Sequence, residues 1–185
     1  MNLEHLSRQI IEVVMNKLNY IAFFLCLASC KESQVDSKKV TDFNIGFEEL
    51  VLNGKQKGIE HYMKIDIPKE ILEYKTIYIG RIENSKNEQL DFIYTTVFSG
   101  LYQDSKRANA KIVIYKNGNR LGHYYVGGGF KKIALISENE IIVSYCDDNC
   151  NQSTRINFRD SIPRKIFIHC RKENGKMFGD LYRFE

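Results

Sequence analysis

The chain reads as a mainly β domain: an antiparallel sandwich, open barrel or meander with one or two short helices, preceded by a signal peptide. Three observations lead there. Short runs of β-branched and aromatic residues recur about every ten residues from position 77 onward, a spacing typical of sandwiches and barrels. Turn-forming residues separate several of these runs. Helical periodicity is scarce after residue 73.

The elements follow in order. Phe47–Leu52 has the composition of one or two helical turns, ending near Asn53-Gly54. Pro68–Glu73 is a second short helix candidate, because proline fits the first helical position, where its missing N–H costs nothing. Ile77–Ile82 alternates apolar residues with small or polar ones, and Phe92–Phe98 is β-branched or aromatic throughout. Ile112–Tyr115 and Leu121–Val126 flank Lys116-Asn117-Gly118-Asn119; Asn-Gly is the strongest short-range hairpin signal, because both turn residues need positive φ. Ile133–Ile136 and Ile141–Tyr145 flank Ser-Glu-Asn-Glu as a further hairpin. Ile156–Phe158, Ile166–Ile168 and Leu181–Phe184 complete the strands.

The amino terminus has a different character. Lys17 gives a positive start, Ile21–Leu27 is an uncharged apolar run, and Ala28-Ser29 supplies small residues before Cys30. That run falls short of the roughly 20 apolar residues a membrane-spanning helix needs, and the order basic, apolar, small is that of a secretory signal. Leu27-Ala28-Ser29-Cys30 resembles the lipobox of bacterial lipoproteins. The resemblance covers this one motif and does not extend to the domain beyond it. It implies cleavage before Cys30, with a diacylglycerol and a fatty acyl group on that cysteine as the one covalent attachment. Lys31, rather than Asp, after the cysteine implies the outer membrane by the sorting rule of that class. Lys31-Glu32 also loosely resembles surface-export signals. Glu4 and Glu12 are out of place ahead of a signal, so translation is expected to start at Met15. The expected organisation is a leader over 1–29, lipid attachment and a polar tether over 30–42, and a β-rich domain over 43–185.

Composition narrows the function classes. Apolar residues make up 43% and charged residues 27% of the chain, enough to bury a core. In the leader, Arg8 and Lys17 cancel Glu4 and Glu12, so the net charge of +4 belongs to the rest. Its signs are interspersed, as in Lys69-Glu70 and Arg171-Lys172-Glu173, which argues against the concentrated basic face of a nucleic-acid binder.

Five cysteines occur. Cleavage removes Cys26 and lipid consumes Cys30, leaving Cys146, Cys150 and Cys170 to the domain. An envelope compartment permits disulfides. The Cys146–Cys150 loop can bring two Cα atoms within the roughly 4.4–6.8 Å a disulfide requires, and pairing of Cys170 with either is equally open. Those cysteines with His169 also have zinc-ligand chemistry, but neighbouring strand residues point to opposite faces, which sets His169 against Cys170. Asp147, Asp148, Asn149 and Asn151 offer oxygen ligands without the spacing of a calcium loop. Gly127-Gly128-Gly129 leads into a strand rather than a helix and reads as a loop or bulge, not a phosphate cradle. His123 is the best-placed candidate base, yet no G-x-S-x-G elbow accompanies it. Glu48-Glu49 and Asp147-Asp148 are sequence neighbours with no sign of converging on a cleft.

Tyrosine and phenylalanine number 11 each and tryptophan is absent. Tyr102, Tyr124, Tyr125 and Tyr145 are candidates for a recognition surface, since tyrosine joins apolar area to a polar tip. The reading that results is a non-enzymatic, lipid-anchored envelope protein with no cofactor, whose domain binds another envelope protein or a different ligand, with no nucleic acid among its partners. Two rival readings stand beside it. One is an immunity-type lipoprotein that neutralises a periplasmic toxin. The other is a small metal-dependent or hydrolytic enzyme.

Overall fold

The computed structural model describes residues 37–67, 70–144, 152–171 and 175–185. The chain is mainly β. One helix, α1 (Ser37–Gly54), precedes β1 (Glu60–Ile67), β2 (Glu70–Glu83), β3 (Gln89–Gly100), β4 (Arg107–Lys116) and β5 (Asn119–Gly127). These five strands form an antiparallel meander with spatial order equal to chain order. β6 (Lys132–Ser137), β7 (Glu140–Ser144) and β8 (Ser153–Asn157) make a three-stranded antiparallel sheet, and β9 (Lys165–Arg171) with β10 (Met177–Arg183) makes a hairpin. The sheets do not close into a barrel.

Alternation along the strands creates two apolar faces on the meander. Ile79, Ile82, Phe92, Tyr94, Ile112, Ile114 and Tyr124 face Ile141, Val143, Ile156, Phe158, Ile166 and Ile168 from the second layer. On the opposite face Tyr78, Ile93, Val113 and Tyr115 meet Phe47, Val51 and Leu52 of α1. The i, i+4 spacing of Phe47 and Val51, with Leu52 beside them, gives the helix one apolar stripe. The meander is thus covered by a helix on one side and by strands on the other.

Three local devices set this geometry. The first is the β4–β5 turn, where Asn117 and Gly118 have φ of 53° and 79°. Two positive φ values are those of a type I′ hairpin. The second is a bulge between Tyr78 and Gly80, with Gly80 at φ 143°. The extra residue changes strand parity. Ile79 and Ile82 therefore both enter the sandwich core, while Arg81 joins Tyr78 on the helix side. The third is Asn84, whose side-chain oxygen accepts the backbone N–H groups of Lys86 and Glu88, each at 3.0 Å. That bond pattern closes the β2–β3 connection as an Asx-type turn.

The carboxyl terminus joins the two layers. Phe184 bridges Tyr124. The His123 N–H donates to the Glu185 carbonyl at 2.8 Å, and the Glu185 N–H donates back at 3.0 Å. The chain end thereby occupies part of the outer edge of β5.

The structure departs from the sequence-based expectations in three places. Residues 70–73 are strand, not helix: Leu72 pairs with Ile65 on β1 and with Ser99 on β3. Ladder bonds on both sides outweigh what one proline-started turn offers. Next, β1 is absent from the expected strands, because His61, Lys64 and Asp66 dilute its apolar alternation. Finally, α1 starts at Ser37 and takes in the last six residues of the stretch read as a tether. Docking of Phe47, Val51 and Leu52 anchors the helix, and backbone bonds then propagate from a formed turn at little cost. Among the described residues, no helix is long and apolar enough to cross a membrane. The stretches expected to be a leader and a lipobox, with Cys30, lie outside the described residues.

Candidate functional site

The long strands of the meander outreach the shorter second layer. Beyond Tyr94, the inner face of β3 carries Thr96 and Phe98 into a cleft of about 490 Å³, flanked by Ile77 on β2 and Ala108 on β4. The opposite wall is the β5–β6 connection, Gly129 to Lys131, and the start of β6 at Lys132 and Ile133. Small-molecule sites commonly occupy roughly 300–1,000 Å³ with mostly apolar walls and a few polar groups.

Phe130 organises this wall. Its ring stacks on Tyr94 at 5.8 Å between centroids and meets Tyr182 edge-on at 6.5 Å. Its N–H donates to the Tyr94 hydroxyl oxygen at 2.7 Å. A loop residue is thus pinned to the sheet by one hydrogen bond and two aromatic contacts. On its far side lies a second cavity of about 530 Å³, between Tyr125–Gly129 and Asp180–Tyr182. Phe130 lines both cavities and so partitions them.

Charge in the first cleft is lopsided. Among the described residues, Lys75, Lys131 and Lys132 line it against one carboxylate, Glu60. Lys75 bonds Glu60 at 2.9 Å, and its ammonium lies 5.9 Å from the Phe98 ring centroid, within cation–π reach. No side-chain ion pair engages Lys131 or Lys132 among the described residues.

Of the three buried carboxylates among the described residues, Glu73 on β2 is held by Lys106 at 2.6 Å, and the other two lie on the helix-packed side of the meander. Asp91 accepts the Tyr78 hydroxyl at 2.6 Å and a two-pronged contact from Arg81 at 3.0 and 2.7 Å. Burial pushes its carboxyl up, but the bonds from Arg81 and Tyr78 outweigh this and hold it below the ordinary carboxylate range. Glu48 shows the reverse balance. Burial raises its carboxyl, and Arg120 with the Tyr115 hydroxyl only partly offset the rise. Both groups face the helix-packed side of the meander, not the cleft.

The residues singled out from the sequence are scattered over the fold. His123 is half-buried on β5; burial, followed by Lys111 and Arg120, depresses its imidazole below the ordinary histidine value. Among the described residues no serine or cysteine is hydrogen-bonded to its ring. His169 stacks on Phe167 at 5.4 Å on the outer face of β9, while Cys170 is buried on the inner face. Cys170 is disulfide-bonded; its sulfur is no longer a thiolate, and its partner lies outside the described residues. Cys146, Cys150, Asp147, Asp148, Asn149, Asn151 and Tyr145 also lie outside them. Among the described residues, no three metal-ligating side chains converge.

The tyrosine surface needs correction. Tyr124 is fully buried, with its hydroxyl donating to the Pro163 carbonyl, because strand alternation turns it into the core while Tyr125 faces out. Tyr125 bonds Asn109 at 2.5 Å, and Tyr102 stands 73% exposed in the β3–β4 connection. The described tyrosines therefore do not share one face. Gly127–Gly129 runs from the end of β5 into the connection to β6; all three line the second cavity, and Gly129 lines the first as well. Sequence reading missed Phe130 and the lysines beside it. The available signal was an aromatic followed by Lys-Lys directly after three glycines. Comparison of the chain with family models, with curated proteins and with solved structures finds no match in any of the three.

Proposed function

We propose that the domain is a non-catalytic binding module, held at the cell-envelope membrane by lipid on Cys30, with its ligand seated in the cleft between Phe98 and Phe130. The observation that carries the binding reading is the cleft itself. Its Phe130 wall is held to Tyr94 by hydrogen bonding and stacking before any ligand arrives, which lowers the ordering cost of association. The anchor rests on the lipobox resemblance at Leu27–Cys30.

Mass spectrometry of organic extracts from the purified full chain tests the cleft. Ala108→Trp fills it from a half-buried position on β4. The expected result is a small molecule that accompanies the wild-type chain and is lost from Ala108→Trp; equal recovery from both would refute the cleft as the site. Metabolic labelling with palmitate tests the anchor. Label is expected on the wild type and not on Cys30→Ala, and an unlabelled wild type would refute lipidation.

A further inference from the structure

We infer that the ligand of this cleft is an amphipathic anion, a small molecule whose apolar or aromatic body lies against Phe98 and Phe130 and whose acidic head meets Lys131 and Lys132. The inference rests on the cleft being the binding site and adds the chemical class of what it binds. Four observations bear on it. The charge of Glu60 is already answered by Lys75 at 2.9 Å, so among the described residues the cleft lining offers no unpaired carboxylate to a cationic ligand. Lys131 and Lys132 have no side-chain ion pair among the described residues, and both are exposed at the rim. Apolar walls adjoin these ammonium groups, and an anion held beside a low-dielectric wall is attracted more strongly than one in open water. The volume, about 490 Å³, matches a small molecule rather than a folded partner. Carboxylate, sulfonate and phosphate heads share the required chemistry. Thr96 on the cleft wall adds a hydroxyl to the polar groups of the lining.

A matched pair of fluorescent probes tests the class on the full chain. 8-Anilinonaphthalene-1-sulfonate carries a sulfonate on an aromatic body, and N-phenyl-1-naphthylamine presents a similar body without charge. The sulfonate is expected to bind the wild type roughly tenfold more tightly, through electrostatic complementarity. Lys131→Glu combined with Lys132→Glu should erase that advantage and leave the neutral probe unchanged. Lys131→Gln with Lys132→Gln should remove part of it. Salt of about 0.5 M should shrink it too, because the lysines are exposed and screened. Equal affinity for the two probes, both lost in Ala108→Trp, would overturn the anionic class and leave the cleft as a binding site. Retention of both probes by Ala108→Trp would overturn the cleft reading as well.

Discussion

The carboxylate of Glu48 on α1 accepts a hydrogen bond from the Tyr115 hydroxyl on β4 at 2.9 Å, and neither residue is more than 1% exposed. Arg120 approaches the same oxygen at 3.5 Å, while the other carboxylate oxygen, Oε1, is buried without a partner. A charge is thus enclosed between the helix and the sheet with incomplete compensation. Burial lifts the Glu48 carboxyl above its ordinary value of 4.5. A raised folded-state value means that this group's stabilising contribution is complete below pH 4.5 and declines as pH rises through the folded value. Glu48→Gln keeps an acceptor for Tyr115 and removes the charge. The variant is expected to gain on the order of 1 kcal/mol at pH 7 relative to wild type, and to lose that advantage near pH 4. Urea denaturation at the two pH values checks this. A variant less stable than wild type at both would show that the Arg120 contact outweighs the cost of enclosing the charge.

Asp91 behaves oppositely. Its lowered carboxyl contributes stability that is present above 3.8 and lost as pH falls through the folded value. Asp91→Ala should cost about 2 kcal/mol at pH 7, since it strands the buried Tyr78 hydroxyl and releases Arg81, itself partly solvated. The penalty should shrink below pH 3. Thermal melts of wild type and variant across pH 2.5–7 measure the convergence; parallel curves would contradict it.

Two glycines separate backbone strain from steric overlap. At Gly118 a methyl group meets nothing within 4 Å, so Gly118→Ala should cost only the positive-φ penalty of about 1 kcal/mol. At Gly80, the same change places Cβ 2.9 Å from Leu135 Cδ2 on β6 as well as at φ 143°. Gly80→Ala should therefore cost more, about 2–3 kcal/mol. The order of the two denaturation midpoints is the measurement, and equal midpoints would mean that Leu135 moves aside freely.

Cys170 is buried at 1% exposure and disulfide-bonded. Peptide mapping of the unreduced chain after alkylation should recover Cys170 in a cross-linked peptide and identify its partner. Cys170→Ala should lower stability by about 2–4 kcal/mol, as expected for opening a native loop. An alkylated Cys170 in the unreduced protein would exclude the bond.

Much of the β architecture was readable in one dimension. The Phe92–Phe98 run became the centre of β3, and Asn117-Gly118 became the type I′ turn, because β-branched packing and positive φ are local requirements. The bulge at Gly80 was not readable. The same letters, Ile79-Gly80-Arg81-Ile82, also suit plain alternation, and the close approach of Leu135 from β6 is visible only in the folded protein. Residues 70–73 were misread for a similar reason: their helical signal was local, and their partners on β1 and β3 are distant or unrecognised.

The candidate site divides the same way. The composition of single segments carried the mainly β class, the mixed-charge surface and the resemblance of Leu27–Cys30 to a lipobox, since each depends on residues close in the chain. Tertiary structure alone decided the cleft. Strands of the meander and the β5–β6 connection, separated by dozens of residues, bring Phe98, Lys75, Phe130 and the Lys131-Lys132 pair to its walls. No local pattern encodes that meeting, because it follows from the meander outreaching the second layer and leaving one end of its inner face uncovered.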